Sequence, residues 1–183
     1  MKKILFLVAL TMVSICSNAQ FVLTPSAGLI TEDGPYVINR NGSESENYYA
    51  AKEAVEKTIP NVDIGELDYE KSFNALYIYQ NRGKMPGALV ATDWTIKFHL
   101  RIETSEGKIM ISIEKAEELE YKRKGETLGY IYPTTGKNSM MNDMMGVHYI
   151  FNSKGEVAKS CKKLKAIYEN VANDIVKQIE NNL

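Results

Sequence analysis

The sequence predicts an α+β domain: an antiparallel sheet of about five or more strands, with one N-terminal crossover helix and a long C-terminal helix packed on one face. Three observations predict it. Trp94, Ile96, Phe98, Leu100 and Ile102 alternate with Thr95, Lys97, His99, Arg101 and Glu103, the period-two pattern of an antiparallel strand with one dry and one wet face. Ser105-Glu106-Gly107-Lys108 then forms a turn, and Ile109, Ile111 and Ile113 repeat the alternation in a returning strand. Finally, Val157, Cys161, Leu164, Tyr168, Val171, Ile175 and Ile179 recur at three- and four-residue steps with Lys and Glu between them. That is a long amphipathic helix, with Ser153 or Asn152 as its cap. Consecutive strands flanked by helices fold with the helices on one sheet face.

Taken in order, the chain opens on Met1-Lys2-Lys3, an apolar stretch from Ile4 to Cys16, and Ser17-Asn18-Ala19. These are the charged, apolar and small-residue regions of a secretory signal peptide, with cleavage after Ala19. The apolar run of 13 residues is shorter than the roughly 20 that span a bilayer as a helix. The expectation is export to the periplasm or beyond, with no transmembrane segment. A lipid-modified Cys16 is the less favoured alternative, because lipid-attachment sites want a small residue before the cysteine and Ile15 stands there. Residues 20–183 remain as a single domain of 164 residues, long enough for one core. They carry 20 basic against 23 acidic side chains, a net charge of −3, so nothing supplies the cationic footprint that nucleic-acid binding requires. Cys161 is then the one cysteine left, which excludes an intrachain disulfide.

Gln20 to Gly34 reads as an irregular arm or edge strand leading to a first core strand at Tyr36-Val37-Ile38. Ser43 and Glu46 have the spacing of a capping box, so a helix begins near 44–46. Its apolar stripe is Tyr48, Ala51, Val55, Thr58 and Ile59, and Pro60 ends it. Val62 to Tyr69 and Ala75 to Gln80 read as a strand pair, followed by a loop over Asn81 to Gly87 and the Trp94–Ile113 hairpin. Leu119 and Tyr121 extend or follow that hairpin. Residues 122–153 give the weakest pattern: Leu128 to Tyr132 as a strand, Pro133 to Lys137 as a turn, then a methionine-rich patch before Val147 to Phe151.

The signal ending Asn18-Ala19-Gln20, the stretch Gly34-Pro35-Tyr36-Val37-Ile38 leading to the helix at Tyr48 to Ile59, and the Trp94–Ile113 hairpin resemble a family of exported bacterial proteins. That family is grouped as a domain of unknown function with a TBP-like fold, and the resemblance is strongest over 34–121. It implies a curved sheet gripping its helices in the order β-α-β4-α. The family offers no catalytic residues to carry over, and DNA binding by TBP is not inherited, since fold does not fix function.

The chemistry-bearing residues are few. His99 lies on the polar strand face between Lys97 and Arg101, and His148 follows the methionine patch. Cys161 sits on an apolar stripe as a small hydrophobe. No Gly-x-Ser-x-Gly elbow, phosphate-cradling loop, His-Glu-x-x-His or paired-cysteine motif occurs, so neither an enzyme nor a cofactor is expected. The leading expectation is a non-catalytic exported binding or interaction domain for a small molecule, glycan or protein. It would use Lys97, His99 and Arg101 on an uncovered sheet face, with Tyr77 and Tyr79 as an aromatic platform, or a cleft between the sheet and the C-terminal helix. Tyr130 and Tyr132 alternate in the same way. The competing expectation is a periplasmic Cu(I)-handling protein using the thioethers of Met140, Met141, Met144 and Met145 with His148.

Overall fold

The computed structural model describes residues 20–183 apart from 27, 32, 33 and 85–90. The expected signal peptide, the alternative at Cys16 and the end of the expected Asn81–Gly87 loop lie outside the described residues. In chain order the elements are β1 (Val22–Thr24), β2 (Gly28–Ile30), β3 (Tyr36–Asn39), α1 (Glu44–Thr58), β4 (Ile64–Asp68), β5 (Ser72–Lys84), β6 (Ala91–Ser105), β7 (Lys108–Ala116), β8 (Leu119–Arg123), β9 (Glu126–Thr135), α2 (Met140–Met144), β10 (Val147–Phe151) and α3 (Lys162–Asn181).

The alternation read at Trp94–Ile102 becomes the axis of the sheet. β6 pairs along its whole length with β5, from Ser72↔Glu103 to Lys84↔Ala91. Its other side is shared: β7 takes the stretch from Phe98 to Ser105, and β8 takes Asp93 to Thr95. Between them the Glu117 N–H donates to the Lys97 carbonyl at 2.8 Å, so β7 and β8 follow one path with an irregularity at Glu117-Glu118. The outer positions differ at the two ends. β3 lies antiparallel on β7 at one end, while β9 lies antiparallel on β8 at the other and β10 runs parallel to β9 beyond it.

The two long helices, α1 and α3, cover the same face. α1 starts on the expected capping box, the Ser43 hydroxyl accepting from Glu46 N–H while the Glu46 carboxylate accepts from Ser43 N–H. It crosses β6 and β7 on its way from β3 to the far edge at β4, burying Tyr48, Ala51, Ala54 and Val55. Asn47 fixes that crossing: its amide donates to the Ser105 and Gly42 carbonyls and accepts from Arg40, at 2.8 to 3.2 Å. α3 buries Leu164, Tyr168, Val171, Ala172, Ile175, Val176 and Ile179. The Tyr168 ring meets Phe98 edge-on at 6.1 Å, and its hydroxyl reaches the carbonyls of Glu117 and Ile131 at 3.0 and 3.3 Å. Full burial of a side chain of this size contributes about 1.5–3 kcal/mol, and the row Ile96, Phe98, Leu100 and Ile102 is sealed completely. With that interface filled around Phe98 and Tyr168, the sheet–helix cleft offered as an alternative site loses its space there.

Four expectations are corrected. The N-terminal arm is a hairpin, β1–β2, which buries Phe21, Leu23 and Leu29 and is held to α3 by Asn173 and Glu169 accepting from the Phe21 and Leu23 N–H groups. β5 runs on through Asn81–Lys84, where a loop was expected. β9 continues past Pro133, which sits where the β10 ladder is interrupted and the β8 pairing has ended, so its missing N–H costs nothing. α3 begins at Lys162 rather than near 153: Asn152 does use its side-chain carbonyl on backbone N–H groups, those of Lys154 and Glu156, but to close a tight turn. Six strands follow α1 before α2, so the β-α-β4-α order is extended at its C-terminal edge.

Candidate functional site

The face opposite the helices starts from β6, because a period-two strand that buries its even positions must present its odd ones. Lys97, His99 and Arg101 stand in file there, with side chains 40–46 % exposed. Each is paired. The His99 imidazole donates from Nε2 to Glu117 Oε1 at 2.8 Å, and Lys97 Nζ lies 3.4 Å from the other oxygen of the same carboxylate. Arg101 reaches Glu103 at 2.8 Å and Glu114 at 3.4 Å. The hydrogen bond from His99 holds the Glu117 carboxyl below its ordinary pKa; partial burial opposes this, and the Lys97 charge adds to it. Glu103, and after it Glu114, push the Arg101 guanidinium further up.

Beside this file lies a cleft of about 220 Å³ lined by Thr95, Lys97, Glu117, Glu118, Glu120 and Tyr130. It follows from register: Thr95 pairs with Glu120 and Glu120 with Tyr130, so three open-face side chains stand in one row across β6, β8 and β9. Glu120 is held by Lys122 at 2.9 Å and by the Thr127 hydroxyl at 2.8 Å. Beyond Tyr130 the aromatic surface continues. Tyr132 lies 6.4 Å from it, and Tyr149, brought alongside by the parallel β10, stacks on Tyr132 at 5.5 Å and 27°. Gly136 backs the Tyr149 ring so closely that a Cβ there would come within 2.3 Å of it. A wider recess of about 450 Å³ opens beside Arg82, Asp93, Thr95 and Lys122.

Tyr77 and Tyr79 do not belong to this surface. Their register partners are Phe98 and Ile96, and they pack half-buried on the helix side, Tyr77 against Phe98 and Tyr79 against Trp94. The sequence pattern offers two alternating tyrosine pairs, and only Tyr130 and Tyr132 share a face with Lys97. Glu117, Glu120 and Tyr149 are open-face participants that the sequence pattern does not single out. A signal for Glu117 exists, since the buried positions pass from Ala116 to Leu119 and break the period of two. Tyr149 has none, because it joins the row through a parallel pairing.

The methionine patch forms α2, capped by the Ser139 hydroxyl accepting from Asn142 N–H. Met140, Met141, Met144 and Met145 are 64–84 % exposed, and none of them packs into the core. His148 stands beside this helix with Nδ1 3.3 Å from an Asp143 oxygen. Cys161 is buried, its thiol directed at the Tyr149 carbonyl. Among the described residues no three His, Cys, Asp or Glu side chains group to hold a metal ion, and no helix is long and apolar enough to cross a membrane.

No protein-family model and no curated protein matches this chain. Among solved structures it is similar to a DUF4468 family protein from Bacteroides ovatus, at 14% identity over 87% of this chain and 92% of that one, with a TM-score of 0.53. It is also similar to a TBP-like protein from Parabacteroides distasonis, at 14% identity over 79% and 90%, with a TM-score of 0.45. The chain shares the fold of the former. The family name of the former denotes a domain of unknown function, the grouping that the resemblance in the sequence implied.

Proposed function

We propose that this chain is an exported, non-catalytic binding domain that seats a hydroxyl-rich, uncharged ligand of the saccharide type on the open sheet face. The observation that carries the reading is the cleft in which Tyr130 stands beside Glu117, Glu120 and Lys97. Tyrosine combines apolar ring area with a polar tip, the carboxylates accept from ligand hydroxyls, and Lys97 donates. The cleft carries three carboxylates, Glu117, Glu118 and Glu120, against the Lys97 ammonium, so it exerts no attraction on a phosphate backbone or another polyanion. A cleft of about 220 Å³ is smaller than the 300–1,000 Å³ that encloses a drug-sized ligand, which fits one ring of a chain whose other rings run on over Tyr132. Neither imidazole is hydrogen-bonded to a hydroxyl among the described residues, His99 being turned to Glu117 and His148 to Asp143; a nucleophile activated by histidine has no support.

The test is amide chemical-shift mapping with xylotriose, maltotriose and triacetylchitotriose at millimolar concentration. At least one should move the Thr95, Lys97, Glu120 and Tyr130 signals and leave those of α1 in place. No movement with any of the three, or movement confined to another surface, overturns the reading. Export has its own check: the intact mass of the protein recovered outside the inner membrane should start at Gln20, and retention of Met1 contradicts it.

A further inference from the structure

The methionine helix and His148 together have a geometry that the open-face reading does not use. Methionine is an unusual choice for a surface, yet four of them stand exposed within six residues, 140–145. Successive side chains leave a helix about 100° apart, so Met140 and Met144 project within about 40° of each other, and Asp143 lies about 60° from Met140 on the side away from Met144, whereas Met141 projects about 160° from Asp143. Asp143 in turn meets His148, its carboxylate 3.3 Å from Nδ1. The carboxylate therefore stands on the Nδ1 side of the ring and leaves Nε2 turned away from it, the way outer-shell carboxylates orient metal-binding histidines.

We propose that the Met140 and Met144 thioethers and His148 Nε2 form a three-coordinate site for a soft monovalent d¹⁰ cation, Cu(I), with Asp143 as a positioning residue that does not touch the metal. Thioethers select Cu(I) over harder divalent ions. The absence of any grouping of three His, Cys, Asp or Glu among the described residues removes the usual competitor set for Zn(II). Binding involves no change of oxidation state. Thioether and neutral imidazole donors bind without releasing a proton, so the site gains the charge of the cation beside Asp143. The site stands apart from the open-face cleft, so either can fail without the other.

The experiment is anaerobic titration of the purified protein with Cu(I) against a chromogenic chelator. It is repeated with Ag(I), which has the same electron configuration and no accessible redox change, while methionine methyl and His148 ring signals are followed by NMR. One equivalent should bind, shifting the Met140 and Met144 methyl groups and the carbons beside His148 Nε2; Zn(II) at the same concentration should leave all three in place. The pair Met140→Leu with Met144→Leu, and separately His148→Gln, should each weaken Ag(I) at least tenfold. Asp143→Asn should weaken it a few-fold, and Met141→Leu with Met145→Leu should leave it within about threefold. The methionines and Asp143 are largely exposed and His148 is half-buried, so thermal melts of the variants check that folding is retained. No binding of Cu(I) or Ag(I), equal binding of Zn(II), or a wild-type affinity in the Met140/Met144 double variant overturns the proposal.

Discussion

The two faces of β6 are built from neighbouring residues and do opposite work. On the helix side Ile96, Phe98, Leu100 and Ile102 are fully buried, and Tyr77 and Tyr79 join them. On the other side Lys97, His99 and Arg101 stay about two-fifths exposed and are tied to carboxylates from β6, from β7 and from the irregularity that follows it. A tyrosine on the first face is packing material, whereas a tyrosine on the second lines a cleft. Residue type does not decide which, since Tyr77 and Tyr130 look alike in sequence; register does, because a one-residue change of phase exchanges the faces. Substitutions on the two faces should therefore be read by different instruments, stability on one and ligand affinity on the other.

The largest expected effect is on the covered face. Phe98→Ala removes the ring that Tyr77 and Tyr168 pack against and should cost about 3–5 kcal/mol in urea unfolding; a loss under about 1 kcal/mol would break the contrast. At the β9–β10 junction, Gly146 has φ +67°, and a Cβ there would meet the Leu128 carbonyl at 2.1 Å. Gly146→Ala should cost about 1–3 kcal/mol and speed hydrogen exchange at Tyr130, whose N–H donates to the Gly146 carbonyl, while leaving exchange in α1 slow. Lys97→Ala, an exposed partner of Glu117, should change stability by no more than about 0.5 kcal/mol and weaken saccharide binding severalfold, which thermal melts and the shift titration read separately. The smallest effect is in pH. The Glu117 carboxyl is held below its unfolded value, so the stability it contributes is present above about pH 4.3 and is lost as pH falls through the depressed folded value. Glu117→Gln should flatten that part of the acid unfolding curve; an unchanged acid limb would show that the His99 bond is not coupled to folding.

What the sequence makes legible is local and periodic. The capping box at Ser43 and Glu46, the alternation along Trp94–Ile102, the turn at Ser105–Lys108 and the stripe of α3 from Leu164 to Ile179 each depend on neighbours within one or two turns, and each stands as read. The C-terminal edge of the sheet escapes because its determinants lie far apart in the chain. β10 is placed by a parallel pairing that carries no turn signature, and Pro133 lies inside a strand because its ladder partners happen to stop there. The candidate site inherits that division. Lys97, His99 and Arg101 could be put on the wet face from alternation alone. Their partner Glu117 depends on an irregularity between β7 and β8, and the aromatic row depends on Tyr149 arriving from 17 residues beyond Tyr132.

The account is tested most directly by one comparison of saccharide affinity between two folded variants, Tyr130→Ala and Tyr77→Ala, using whichever trisaccharide moves the open-face signals. It predicts that Tyr130→Ala loses at least tenfold in affinity at nearly unchanged stability, while Tyr77→Ala is destabilised and binds as the wild type does. Retained affinity in Tyr130→Ala, with loss in Tyr77→Ala, would place the ligand on the helix side of the sheet and contradict the assignment of the two faces.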